Sequence, residues 1–444
     1  MRRIPLGDIE ETAAALHASA EASDELRRTV GDIVAEVRRS GDAALCEFTR
    51  RFDGVEIGAA ARDPSDAAGG DAPGAAGGDV PGTLCVPPAS LAAAVEGLDP
   101  ELAGALRLAA ANIRAYHERE LPHSWRETLA QGQVVGQEIV PLAAAGLYVP
   151  GGLADYPSTV LMTGIPAQAA GVGRIVVCSP PRGDGSVPPG VAAACALLGI
   201  DDVVPVGGAQ AVAAMAYGTA SVPRCDIIVG PGNRFVAEAK RQVMGEVAID
   251  SLAGPSEVLI VADEGSEPSW VAADVLAQAE HGAGAMGAVL SLSPALSDAL
   301  EREVARLAYD LGIATDTVTV VDCPGTDPAM ELVNVFAPEH LELHVEDPGA
   351  LLPEVRNAGA VFCGRRAATA FADYAAGTNH VLPTGGAARY AQGLSVSHFL
   401  KRVAVLELDG AAAARLAAPV AVLAREEGLA AHALSVELRG GDDA

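Results

Sequence analysis

The chain has 444 residues, half of them hydrophobic and only 4% aromatic, so its cores must rest on Ala, Val, Leu and Ile, in two to four packed units. Its 30 basic and 58 acidic residues give a formal net charge of −28, which argues against nucleic acid or anionic membrane as a partner, since both need basic patches. Asp8, Glu10 and Glu11 stand where a signal peptide needs an apolar stretch, and no uncharged run of about 18 apolar residues follows, so a soluble cytoplasmic protein is expected.

Residues 24–54 read as two helices. Val30, Ile33, Val34 and Val37 form a helical stripe, and Ser40-Gly41-Asp42 breaks it and caps the next helix. Residues 58–83 are Gly, Ala, Asp and Pro with almost nothing large and apolar, which predicts a disordered surface insertion. Helical sequence resumes over 91–116. Short apolar runs then alternate with helical stretches. Strands are expected at 174–178, 202–206, 226–229, 257–261, 288–292, 317–321 and 360–363, and helices at 191–198, 209–217 and 234–243. That alternation predicts parallel sheet built from βαβ units, one set near 147–256 and one near 257–384. The tail holds a strand at 403–408 and a helix at 411–426. The seven cysteines, Cys46, Cys85, Cys178, Cys195, Cys225, Cys323 and Cys363, are scattered without a CxxC pair, the pattern of buried free thiols in a reducing compartment.

Two short segments concentrate chemistry. In Leu276–His281, Gln278 and His281 are three apart and share a helix face, so both can hold one metal ion. In Pro338–His344, adjacent Glu339 and His340 are the residue types needed for proton transfer near neutral pH. Asp373, His380 and His432 are the options for further ligands, and spacing does not choose among them. His340 and His344 flank an alternating Leu341-Glu342-Leu343, which puts both imidazoles on one strand face but too far apart to chelate simply. The G-x-G-x-x-G at Gly282, Gly284 and Gly287 follows a helix and precedes a strand, the wrong context for a dinucleotide fingerprint. Better cradles are Pro150-Gly151-Gly152, Gly207-Gly208-Ala209-Gln210 and Gly230-Pro231-Gly232-Asn233, each after an apolar run.

Taken in order, GLYVPGG (146–152), GGAQAVAA (207–214), VGPGNRFVAEAKRQV (229–243), DSLAGPSEVL (250–259), LAQAEH (276–281), APEHLELH (337–344), DYAAGTNHVLPT (373–384) and EEGLAAH (426–432) resemble histidinol dehydrogenase over essentially the whole chain. The resemblance implies a zinc-dependent oxidoreductase of histidine biosynthesis that converts L-histidinol and two NAD to L-histidine through an aldehyde. It implies an α/β fold of two related, incomplete Rossmann-like domains with small N- and C-terminal segments. Carried onto this chain, the expected division is an N-terminal helical segment at 1–23, a first domain of 24–146 plus 257–384, a second of 147–256, and a C-terminal segment, 385–444, that completes the active site of the other subunit of a homodimer. The implied ligands of one zinc per subunit are Gln278, His281, Asp373 and His432. Ser256 and Glu427 would help bind substrate, together with these ligands and His340. Tyr148, Gln210 and Asn233 would contact NAD. His340 would accept the proton and Glu339 would activate water. Two alternatives stay open: a zinc hydrolase using Glu339 without NAD, and a related dehydrogenase acting on another amino alcohol.

Overall fold

The computed structural model describes residues 1–17, 23–57, 84–151, 154–252, 254–282 and 284–440. The insertion expected at 58–83 and Gly152 of the first glycine loop lie outside them. The chain opens with β1 (Arg2–Pro5) and α1 (Ile9–Leu16), then runs through α2 (Asp24–Ser40), α3 (Asp42–Phe52), α4 (Pro88–Glu96) and α5 (Pro100–His117). The expected stripe is the buried face of α2, and the Ser23 hydroxyl caps this helix by accepting from Leu26 N–H. Next come β2 (Trp125–Thr128), β3 (Val134–Pro141), β4 (Ala144–Tyr148), α6 (Pro157–Ala169), β5 (Arg174–Cys178), α7 (Pro189–Leu198), β6 (Asp202–Val204), α8 (Gly208–Tyr217), β7 (Ile227–Val229), α9 (Arg234–Val243) and β8 (Ala248–Ile249). The second half holds β9 (Glu257–Ala262), α10 (Pro268–Ala279), β10 (Met286–Ser291), α11 (Pro294–Leu311), β11 (Val318–Asp322), α12 (Thr326–Phe336), β12 (His340–His344), α13 (Pro348–Leu351), β13 (Ala360–Cys363) and α14 (Thr369–Tyr374). The tail is β14 (Leu400–Glu407), α15 (Gly410–Glu426) and α16 (Ala430–Gly440).

Two all-parallel sheets organise this series. One runs β6-β5-β4-β7-β8 and the other β1-β11-β10-β9-β12-β13. Counted from β4 in the first and from β9 in the second, with the edge strand β1 set aside, each has the order 3-2-1-4-5, the doubly wound order whose crevice opens where the order reverses. Those reversals lie between β4 and β7, and between β9 and β12. A third, antiparallel sheet, β14-β3-β2, links residues 125–141 to the tail, and its first two strands carried no recognisable pattern in the sequence.

The packing corrects the expected grouping of 24–146 with 257–384. Leu26, Val30 and Val37 of α2 join the cluster that holds Val176, Met215 and Val236 on one side of the five-stranded sheet. Leu91 of α4 and Ile113 of α5 join Leu147, Leu161 and Val191 on its other side. These helices therefore cover the five-stranded sheet, which itself begins at Ala144. The 1–23 segment is not wholly helical, because β1 adds a parallel edge strand beside β11. An amphipathic stripe says that a helix must be covered, not by which sheet.

β9, β12 and β10 are buried on both faces. Leu259, Leu341 and Leu343 enter a cluster with α1 and α12, while Val258, Ile260 and Ala262 enter one with α10 and α11. Gly287 shows how closely α10 lies on β10: a Cβ there would sit 2.4 Å from Val275 Cγ2 and 2.8 Å from its carbonyl oxygen. The third glycine of the misleading motif thus has a packing role. Gly287→Ala is expected to destabilise the chain by about 1–3 kcal/mol through overpacking. The measurement is the denaturant midpoint at constant m-value; an unchanged midpoint would show that α10 yields at this contact.

Candidate active site

Glu339 and His340 sit at the reversal of the six-stranded sheet, at the N-terminal ends of β9 and β12. Ala337 ends α12 in a left-handed conformation (φ 54°, ψ 65°), and Pro338 then forces the chain out of the helix. Both side chains are held by the backbone of one residue, Glu257. Glu339 Oε2 accepts from Glu257 N–H at 2.9 Å, and His340 Nδ1 donates to the Glu257 carbonyl at 3.1 Å. Committing Nδ1 to a carbonyl leaves Nε2 as the basic nitrogen. That Nε2 is buried and has no hydrogen-bond partner; Asp373 Oδ1 lies 3.8 Å away.

Burial pushes the Glu339 carboxyl up to about 7, against the pull of His340 and of donors from Glu257 and Ser256. Burial draws His340 down, but Glu339 and Asp373 outweigh it, so its affinity for a proton is above that of an ordinary imidazole. Glu339 and His340 thus both hold their protons more tightly than exposed groups of their kind.

Gln278, in the last turn of α10, is buried, and its Nε2 has no partner. His281 follows the helix end and is exposed, its N–H bonded to the Gln278 carbonyl. Asp373 is on α14, within reach of His340. His380 takes a supporting position: its Nδ1 donates to the Asp373 carbonyl at 2.9 Å and its Nε2 faces Thr159 Oγ1 of α6 at 3.5 Å. Burial holds His380 below the usual imidazole range, in its neutral form. The Glu339 and Ser256 side chains are also in contact. Asp373, Ser256, Glu339 and His340 therefore surround one region at the N-terminal ends of β9 and β12. Glu427 and His432 do not join them within one chain. Both are exposed around the α15–α16 turn, and neither side chain bonds to these residues.

The expected dinucleotide residues gather at the C-terminal end of the five-stranded sheet. Tyr148 ends β4, and its hydroxyl accepts from Gly208 N–H at 3.1 Å. Burial raises the phenol to about 12, so it stays protonated. Gln210 is buried in the first turn of α8. Gly208 has φ +66°, and a Cβ there would meet Gln210 Oε1 at 2.7 Å. Asn233 is exposed and caps α9, accepting from Phe235 and Val236 N–H. Two residues without an assigned role in the sequence reading brace its loop. Buried Lys240 donates to the Gly230 carbonyl at 3.1 Å and pairs with Asp250, which accepts from Gly230 N–H at 2.7 Å. A lysine on the apolar side of α9 was the signal available for this pair. Cys178 lies beside Tyr148 at the end of β5 but is fully buried, and burial raises its thiol along with those of Cys195, Cys225 and Cys323, the last three to about 12, out of the nucleophilic range.

Two doubly wound sheets, a buried carboxylate–imidazole pair at the N-terminal strand ends of one and a glycine-lined crevice at the C-terminal end of the other define an α/β enzyme. The family model described as histidinol dehydrogenase matches residues 74–440. A histidinol dehydrogenase of Synechococcus sp. is 47% identical over 93% of this chain and 91% of its own length. That of Rhizobium meliloti is 44% identical over 96% and 95%. The crystal structure of histidinol dehydrogenase from Elizabethkingia anophelis superposes with a TM-score of 0.90 at 30% identity, covering 99% of this chain and 98% of that one. The chain belongs to the histidinol dehydrogenase family, and is an oxidoreductase of histidine biosynthesis.

A general base must be unprotonated, and both His340 and Glu339 hold their protons more tightly than ordinary groups of their kind. Activity should therefore be lost as pH falls through these raised values. The acid limb of kcat/KM, which reports the free enzyme, is expected above the ordinary imidazole value of about 6.5. A limb below that value would remove His340, in this environment, from the role of base.

Proposed function

We propose that the chain catalyses the zinc-dependent oxidation of L-histidinol to L-histidine by two NAD, through L-histidinal. The observation that carries this reading is His340, with Nδ1 committed to the Glu257 carbonyl and a buried, unpartnered Nε2 beside Glu339 and Asp373. His340 Nε2 takes the hydroxyl proton while the carbinol carbon gives up hydride. Glu339 then deprotonates the water that adds to the aldehyde. The hydrate again offers a hydroxyl and a hydrogen on one carbon, so His340 serves a second time. Ser256, which already meets Glu339, and Glu427 of the partner subunit bind the substrate.

Gln278, His281 and Asp373 fit a cation site. The buried Gln278 amide has an orphaned terminal atom, and exchanging its O and N assignments turns that atom into an oxygen ligand. Zinc held there, with His432 of the partner subunit as the fourth ligand, would act as a Lewis acid and as a template that orients substrate. The cradle between Tyr148, Gly208 and Gln210, too tight for a Cβ, fits the close approach of NAD, the hydride acceptor. The seven cysteines form no disulfide among the described residues, which supports a reducing, cytoplasmic setting, and no helix among the described residues is long and apolar enough to cross a membrane.

The tail supports a homodimer. α15 and α16 pack on each other through little more than Ala421, Ala424 and Ala433, leaving Leu423, Leu434 and Leu438 exposed. Apolar side chains beside Glu427 and His432 favour burial against a second subunit.

With purified enzyme followed by NADH formation, Glu339→Gln is expected to slow histidinal oxidation by about 10²–10⁴-fold, the usual worth of a general base, and histidinol oxidation to histidinal far less. Equal losses in the two half-reactions would contradict the division of roles. The shared site makes a second prediction. His281→Ala and His432→Ala should each be inactive alone. Mixed dimers would carry both lesions in one site and none in the other. Co-refolding should therefore restore activity towards about a quarter of wild type if subunits pair at random. Heterodimers proven by mass spectrometry but devoid of activity would place His432 in its own subunit's site.

A further inference from the structure

β12 presents three ionisable side chains on one face, His340, Glu342 and His344, opposite Val258, Ile260 and Ala262 of β9. The reaction proposed above uses only His340. At about 3.3 Å per residue, His344 lies roughly 13 Å further along the strand, at the other end of the sheet. There it meets Asp274, one turn before Gln278 on α10. His344 Nε2 is 3.1 Å from Glu342 Oε2 and 3.7 Å from Asp274 Oδ2, and the three candidate ligand atoms lie within 4.8 Å of one another. Glu342 is fully buried, His344 all but fully, and Asp274 forms the rim at 15% exposure.

We propose that Asp274, Glu342 and His344 bind a divalent transition-metal cation, zinc or manganese in class, at a site separate from the catalytic one. Four features support it. Two donors at about 2.0–2.1 Å from a tetrahedral ion stand about 3.3 Å apart, and the observed 3.1 and 3.7 Å bracket that spacing. Glu342 Oε2 and both His344 ring nitrogens are buried with no hydrogen-bond partner, unusual for groups this deep. The other Glu342 oxygen, Oε1, accepts from Thr369 N–H at 2.7 Å and from its hydroxyl at 2.8 Å, which turns Oε2 towards the cluster. Two carboxylates beside an imidazole also carry the charge that a divalent cation balances; without one, burial and Glu342 push Asp274 up to about 7, His344 opposing.

The cation would tie together three elements. Asp274 and Gln278 are both on α10, Glu342 and His340 both on β12, and Thr369, bonded to Glu342, opens the short helix that carries Asp373. It would hold in register the elements that carry the catalytic groups while touching none of those groups.

The test strips wild type, His344→Gln and Asp274→Asn of metal, reloads them with Zn²⁺, removes the excess by gel filtration and counts metal per chain by mass spectrometry. Each variant is expected to hold one ion fewer than wild type, and reloading is expected to raise the thermal midpoint of His281→Ala, whose catalytic ligand set is broken, but not that of His281→Ala/His344→Gln. Equal metal counts in wild type and the folded variants would overturn the proposal and leave a protonated carboxylate–imidazole triad. Because the readout is a difference, it is independent of whether the catalytic set binds zinc: loss of that site lowers both counts together. If His344→Gln does not fold, Asp274→Asn at the solvent rim gives the same count.

Discussion

The backbone of Glu257 is the constraint on which the site depends. Its N–H holds Glu339 and its carbonyl holds His340, so the two peptide units that meet at the start of β9 set the position of the carboxylate and the tautomer of the imidazole. This requires β9 and β12 to be neighbours in parallel register, His340 beside Val258. Only the reversal of strand order makes them so, because β10 and β11 lie on the other side of β9. Topology, register and protonation state are therefore linked at one residue. The Glu257 side chain is committed as well, accepting from Gly385 N–H at 3.1 Å.

Burial makes this arrangement useful. An exposed glutamate is ionised at neutral pH and an exposed histidine is mostly neutral, and neither is tuned by a neighbour. Here each group resists the charge its surroundings disfavour and is pulled by the opposite charge beside it. The left-handed Ala337 just upstream costs about 1–2 kcal/mol relative to an ordinary helical residue. The two large clusters on either side of this sheet can hold such strain, since β9 and β12 cannot shift without opening both.

Local pattern made much of this legible. The runs at 174–178, 234–243 and 360–363 coincide with β5, α9 and β13, because each is a short apolar strand between turn residues or a helix with an unbroken stripe. The acid–base pair and three cradle loops stood out through residue types that have few other uses in those positions. What stayed hidden was long-range. Nothing in Arg2–Pro5 announces a partner strand more than three hundred residues away, and β2 and β3 have polar, half-exposed faces without clean alternation. α2 to α5 were grouped with the wrong sheet for the same reason. The HLELH segment was read correctly as a strand, and its two histidines as too far apart to chelate an ion simply. That reading left out Asp274, which only the packing of α10 against β12 brings to His344.

The C-terminal arm follows a different logic. α15 and α16 contact each other and little else, and their mutual core is three alanines, whose burial against water is worth little beside the leucines left outside. A helical hairpin of that kind is too small to hold its own position. It carries Glu427 and His432, the members of the proposed substrate and zinc set that the chain does not bring to its own Gln278 and Asp373. An incomplete ligand set on one side and an uncovered apolar surface beside the missing ligand on the other are complementary deficits. A second copy of the chain would remove both at once, and for that reason the proposed catalytic unit is two subunits rather than one.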